Sequence, residues 1–228
     1  MTEGYRRLGS EYQRDWSLTI LLAVLVVDAF VLGTLTEALP MLAPSRTVLF
    51  LLFLLSGISL AFQHRTAVVP IAATAIANVV LQWVHHIHPS FTVAYAEGAA
   101  LLFCVLLIRV VLAQVFRQGP ITAHRIQGAI AVYLLLAFTW GFAYELVALA
   151  DSAAFNMPIT GLYPQPLRAQ LLYFSTITLT TTGYGDITPV NPVARSLAGL
   201  EGLTGQLFPA ILLARLVSME LYSRQQSR

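Results

Sequence analysis

The chain has 228 residues, 57% of them hydrophobic and 11% charged, with a formal net charge of +2. A soluble domain carries about 25% charge, so the composition excludes a surface that faces water throughout and predicts extensive contact with lipid. The charge balance is too small to point to nucleic acid, and one cysteine, Cys104, excludes an intrachain disulfide.

Residues 1–15 are polar and of mixed charge, which predicts a cytoplasmic amphipathic lead-in rather than a cleaved signal peptide. Trp16 follows where an interfacial aromatic would anchor the first helix. Apolar runs predict membrane helices at about 17–38, 46–62, 66–84, 91–116, 121–150 and 193–221. Most are near the roughly 20 residues that a bilayer requires, and the second is short. Cys104 lies inside the fourth run, where a small residue suits helix packing. The segment from about 166 to 180 is too short to span and reads as a re-entrant pore helix, with Pro166 in its first turn. The fold class expected is therefore an all-α membrane protein: six transmembrane helices, with a re-entrant pore helix and loop between the last two. The natural boundary falls near Gln118-Gly119-Pro120. It separates a four-helix unit, 1–118, from a helix–loop–helix unit, 119–228.

Six spans leave both termini on one side, and arginine indicates which side. Arg6, Arg7, Arg14, Arg65, Arg117, Arg125, Arg215, Arg224 and Arg228 fall together, against Arg46, Arg168 and Arg195 opposite. The excess of basic residues on the first side predicts cytoplasmic termini and a loop mouth outside, in the cell membrane.

The most informative stretch is Thr180-Thr181-Thr182-Gly183-Tyr184-Gly185-Asp186. Three β-branched residues in a row resist helical packing, while Gly183 and Gly185 can take positive φ. Such a backbone can turn successive carbonyls toward one axis, where they replace the water shell of an ion. With a short helix before it and a membrane-length helix after it, the stretch resembles the selectivity filter of the potassium-channel family. The resemblance extends from Ile121 to Tyr222. Thr182 stands where the family usually has Val; Thr181, Gly183, Tyr184, Gly185 and Asp186 match.

The resemblance implies a potassium-selective channel, passive in mechanism and homotetrameric, because one loop cannot close a carbonyl ring. Its ion-binding carbonyls would be those of Thr181, Thr182, Gly183 and Tyr184, with a hydroxyl from Thr181 and with Gly185 completing the loop. Potassium is then the permeant ion, and no cofactor is implied. Tyr184 would point away from the axis against an aromatic cuff of Tyr173 and Phe174, and a bond to Asp186 would have to come from the Tyr173 hydroxyl. Gly205, 22 residues after Gly183, occupies the hinge-glycine position. Gln206, Pro209 and Leu213 would face the cavity. Gly199 and Gly202 precede the hinge, and close helix packing is the alternative role for all three glycines. Pro209 frees the carbonyl of Gly205, so a bend between them is mechanically reasonable. Glu145 is expected to tie the outer helix to the start of the inner one, the alternative being a pair with Arg168 or Arg195. Glu201, mid-span on the inner helix, lies about 140° around from Gln206. It should point behind the filter, with Ser175 and Thr178 offering hydroxyls, and influence filter stability rather than conductance; the alternative is a carboxylate facing the cavity.

The first four helices sit where a voltage sensor would, yet the fourth holds only Arg109 and then Arg117, eight residues apart. Each moved charge contributes only about 2.3 kcal/mol per 100 mV, so steep voltage dependence is not expected. Arg109 is expected to snorkel or to pair with Asp28, a mid-span carboxylate on the first helix. His85, His86 and His88 cluster at the end of the third helix, where a metal or proton sensor and simple interfacial hydration are the two readings. Other functions considered are a less selective cation channel and a membrane subunit of a potassium uptake transporter. An enzyme is not expected: no nucleophile–base pairing, metal motif or phosphate loop is visible. The stimulus that opens the pore and any accessory subunits are not written in the sequence, and no cytoplasmic ligand-binding domain is expected after the inner helix.

Overall fold

The computed structural model describes residues 17–32, 43–62, 65–85, 89–117, 122–157 and 167–226. The lead-in with Trp16, residues 33–38 of the first predicted helix, His86, His88, the 118–120 boundary and Pro166 lie outside the described residues.

The fold is mostly helical. Helix α1, residues 17–26, runs on into a π-helical segment, Val27–Leu32. Then come α2 (Ala43–Ala61), α3 (Arg65–His85), α4 (Pro89–Val115) and α5 (Ala123–Ala150). A two-residue strand, β1 (Phe155–Asn156), precedes the short α6 (Leu167–Leu179); β2 (Thr188–Pro189) precedes α7 (Pro192–Gln226). Among the described residues, four helices are long and apolar enough to cross a membrane: Thr66–Val84, Thr92–Val115, Ala123–Ala150 and Pro192–Met219. Ser17–Val31 and Thr47–Ala61 are apolar but shorter. At about 1.5 Å per residue, the 13 residues of α6 reach about 20 Å, short of a hydrocarbon core of about 30 Å.

Helix α4 packs against both α3 and α5; α5 carries α6, and α6 in turn meets α7. One apolar core joins α1 to α5 through Leu21, Leu25, Phe53, Phe103, Leu107, Val132, Leu135 and Phe138. Phe53 sits at its centre, 5.2 Å edge-on from Phe103 and 6.3 Å from Phe138. The α2–α4 crossing is tight at Gly57, where an added Cβ would lie 2.6 Å from the Phe103 ring. The opposite faces of α2 and α3 leave Leu55, Val69, Ile76 and Trp83 exposed. Apolar side chains point outward as well as inward, as the composition requires of a molecule surrounded by lipid.

A second, smaller core of Tyr144, Phe155, Leu171, Phe174, Ile187 and Ala194 joins the C-terminal part of α5 to α6 and to the start of α7. Tyr144, Phe155 and Phe174 meet edge-to-face at 5.0–5.6 Å. β1 and β2 pair antiparallel, with Phe155 opposite Pro189. The carbonyl of Ala154 accepts the N–H groups of Val190 and Asn191. These bonds fasten the chain leaving the 180–186 loop to the chain leaving α5. Asn191 then caps α7: its Oδ1 accepts the Val193 N–H at 2.7 Å, and Pro192 fills the first helical position.

Candidate functional site

The 180–186 loop follows the C-terminus of α6 and is exposed along its whole length in the single chain. Its backbone alternates: Thr181, Gly183 and Gly185 have φ of 58°, 53° and 83°. Thr181 is the only non-glycine residue with positive φ among the described residues, a conformation that a β-branched side chain resists. Hydrogen bonds hold it there. The N–H of Thr181 donates to Thr178 O, and those of Thr182 and Gly183 both donate to Ile177 O, at 2.8 and 3.1 Å. Converging N–H groups of this kind arise where right- and left-handed residues alternate. All peptide bonds here are trans, so each carbonyl points opposite to the N–H of its own peptide plane. The carbonyls of Thr181 and Thr182 therefore point away from α6, toward the open side. The hydroxyl of Thr182 meets that of Thr180 at 2.9 Å, and Thr180 in turn donates to Thr176 O.

Side chains fix this loop from three directions. From α6, the Tyr173 hydroxyl donates to Asp186 Oδ2 at 2.8 Å, the bond that the sequence left to this residue alone. Phe174, one position on, is buried against Tyr144 and Phe155. Tyr184 is 73% exposed. From α7, Gln206 Nε2 donates to Thr181 Oγ1 at 3.0 Å. Gly205 lies directly against the end of α6: a Cβ there would sit 1.8 Å from the Leu179 carbonyl oxygen and 2.7 Å from its carbon. A Cβ added at Gly199 or at Gly202 would meet nothing within 4 Å outside the helix's own backbone. From α5, the Tyr133 hydroxyl donates to the same Leu179 oxygen at 3.2 Å.

Glu201 is fully buried behind the loop. Tyr144 of α5 donates to its Oε2 and Ser175 of α6 to its Oε1, both at 2.5 Å. The Ser175 oxygen also lies 2.8 Å from the Ala137 carbonyl, so its one proton serves two acceptors. One carboxyl group thus ties three helices together. Of the two hydroxyls that the sequence offered, Ser175 takes part; Thr178 contributes its carbonyl to Thr181 instead. Pro209 is half-buried and Leu213 is exposed on the same helix, whose Leu203, Leu207, Ile211 and Val217 also stand open.

Glu145 is buried on α5. Arg195 Nε donates to Pro189 O at 3.1 Å, and the Arg168 guanidinium lies over Phe50 and Phe142. Where the outer and inner helices meet, Asn191 Nδ2 donates to Asp151 Oδ2 at 2.8 Å. The Asn191 amide, and then the Ala153 N–H, hold the Asp151 carboxyl below its ordinary value. This contribution is present at neutral pH and is lost as pH falls through that depressed value. Arg109 is exposed on α4, and Asp28 lines a small cavity with Arg168. His85 ends α3, and no group of three or more His, Cys, Asp or Glu that could hold a metal occurs among the described residues.

Tyr144, Asp151 and Asn191 escaped the sequence reading. An Asp closing an apolar run and an Asn-Pro pair opening the next are end-of-helix signals that could have found the last two.

Residues 130–221 match the family model described as an ion channel. That stretch holds α7 up to residue 221, all of α6 and most of α5, so the loop and its supports lie within the part of the chain that is similar to ion channels, and the match supports an ion channel in a membrane. Among curated proteins, the chain is similar to Protein LctB of Bacillus caldotenax and to Protein LctB of Geobacillus stearothermophilus. Each is 46% identical over 46 residues, covering 20% of this chain and 34% of the relative. The chain thus spans about a third of the length of the curated relatives that it matches. No solved structure matches it.

Proposed function

We propose that the protein is a potassium-selective channel, a homotetramer of six-helix subunits in the cell membrane with cytoplasmic termini. Each subunit contributes a re-entrant α6 and one filter strand, Thr181 to Gly185. The observation that carries this reading is the 180–186 backbone. Alternating positive φ at Thr181, Gly183 and Gly185 sends the N–H groups of Thr182 and Gly183 back to Ile177 O, and the carbonyls of Thr181 and Thr182 to the open side. Four such strands around an axis would replace the hydration shell of potassium. Gly205 seats the inner helix on the end of α6, and Glu201 braces the filter from behind. The exposed face of α7, with Leu203, Leu207 and Ile211, fits contact with neighbouring copies and with the cavity.

Bi-ionic recordings of the purified protein in planar bilayers test this reading. Strong preference for potassium over sodium is expected, and Gly183→Asp, which adds a charged side chain at φ 53°, should abolish it. Equal permeability of the two ions in the wild type would leave a less selective cation channel. Saturating flux without unitary currents would replace the channel by a transporter subunit.

A further inference from the structure

Arg168 occupies the first turn of α6, where the positive end of the helix dipole disfavours a cation. The helix itself gives no reason for an arginine there. The surroundings do. Its guanidinium lies 4.6 Å from the ring centre of Phe142 on α5 and 5.3 Å from that of Phe50 on α2, both within the range of cation–π attraction. The same small cavity is lined by Asp28, in the π-helical segment that ends α1, and by Val24, Leu49 and Phe53. Side chains from α1, α2, α5 and α6 therefore line one small cavity that includes this cation, and only the last two helices lie within the 130–221 channel match.

We propose that Arg168 is a positioning residue through which the first helices act on the filter. Asp28 and Phe50 set the angle at which α6 starts. Through the bonds from Thr178 and Ile177 to the loop, that angle sets how firmly the filter holds its conducting form. An arginine suits the role better than a lysine, because a planar guanidinium can stack on two rings and still present N–H donors at its edge to the cavity that Asp28 lines. The inference rests on the channel reading above and gives the first helices a task without requiring a ladder of gating charges.

A double-mutant cycle tests it, with Asp28→Asn, Arg168→Gln and both together, on the full chain. In single-channel recordings each single change should lower open probability about threefold or more at unchanged unitary conductance and selectivity. The double variant should be no worse than the worse single one. Arg168→Lys should fall between wild type and Arg168→Gln. The same four proteins, melted in nanodiscs, should show non-additive shifts whether or not they conduct. Additive melting shifts would overturn the contact. Non-additive melting with unchanged open probability would overturn the coupling and leave a structural brace. A wild type that melts cooperatively but passes no current would sink the channel reading, and the gating role with it, while the melting cycle still decides the contact.

Discussion

The two halves of this molecule are held together by different physics. From α1 to α4 the contacts are mostly shape: Leu21, Phe53, Phe103 and Leu107 interlock, and a buried polar link between helices there is the Asn78 amide donating to Ala96 O. From α5 to α7 each helix contact carries a hydroxyl, amide or carboxyl: Tyr144 and Ser175 on Glu201, Tyr133 on Leu179, Gln206 on Thr181, Asn191 on Asp151. Apolar packing tolerates small slides at little loss, provided that volume is conserved. A loop held in a strained backbone needs partners at fixed points, which directional bonds supply. The division of chemistry along the chain thus follows the division of labour: a pliable half beside a half with one permitted geometry.

The sharpest way to break this contrast is Gly205→Ala. The added methyl would enter the Leu179 carbonyl, which is backbone and cannot swing aside. The loss should exceed the 1–3 kcal/mol typical of an overfilled core. Assembly and unfolding in detergent, compared with Gly199→Ala and Gly202→Ala, would show it; the latter two, open in the chain, should be mild unless a neighbouring copy fills that space. Next in size is Glu201→Gln with Ser175→Ala, each removing or mismatching a buried bond at about 1–3 kcal/mol. Changed open probability at unaltered conductance is expected, and a large fall in conductance would instead put the carboxyl on the ion path. Smallest is Arg109→Gln on the exposed face of α4, which should move stability by no more than about 0.5 kcal/mol and leave any voltage dependence shallow. A wild-type gating charge of many elementary charges per tetramer would contradict it.

Much of the second half could be read from the residues, because its signals are local. A threonine run with two glycines dictates a non-helical loop, and a buried Glu201 demands hydroxyls from the facing helix, of which Ser175 is one. The Tyr173–Asp186 bond is the one that the resemblance implied for a cuff of Tyr173 and Phe174. Helix positions followed from run length. What could not be read was rotation. A helix apolar on every side, such as α1 or α4, has no stripe that fixes which face turns inward. So nothing in the sequence indicated that Asp28 shares a small cavity with Arg168 of α6. Likewise Tyr144 and Glu145 are adjacent in sequence, and periodicity alone does not say which of the two reaches Glu201.

The sole thiol of the chain belongs to Cys104, sealed in the core between α2 and α5 with no exposed surface. Thiol reagents need an accessible thiolate, so the native protein offers them a silent background. A cysteine introduced at Val69, exposed on α3, would be the one addressable position on the chain. The exposed face of α3 can then be reported on by a label without first deleting the native thiol, leaving the packing around Phe103 intact.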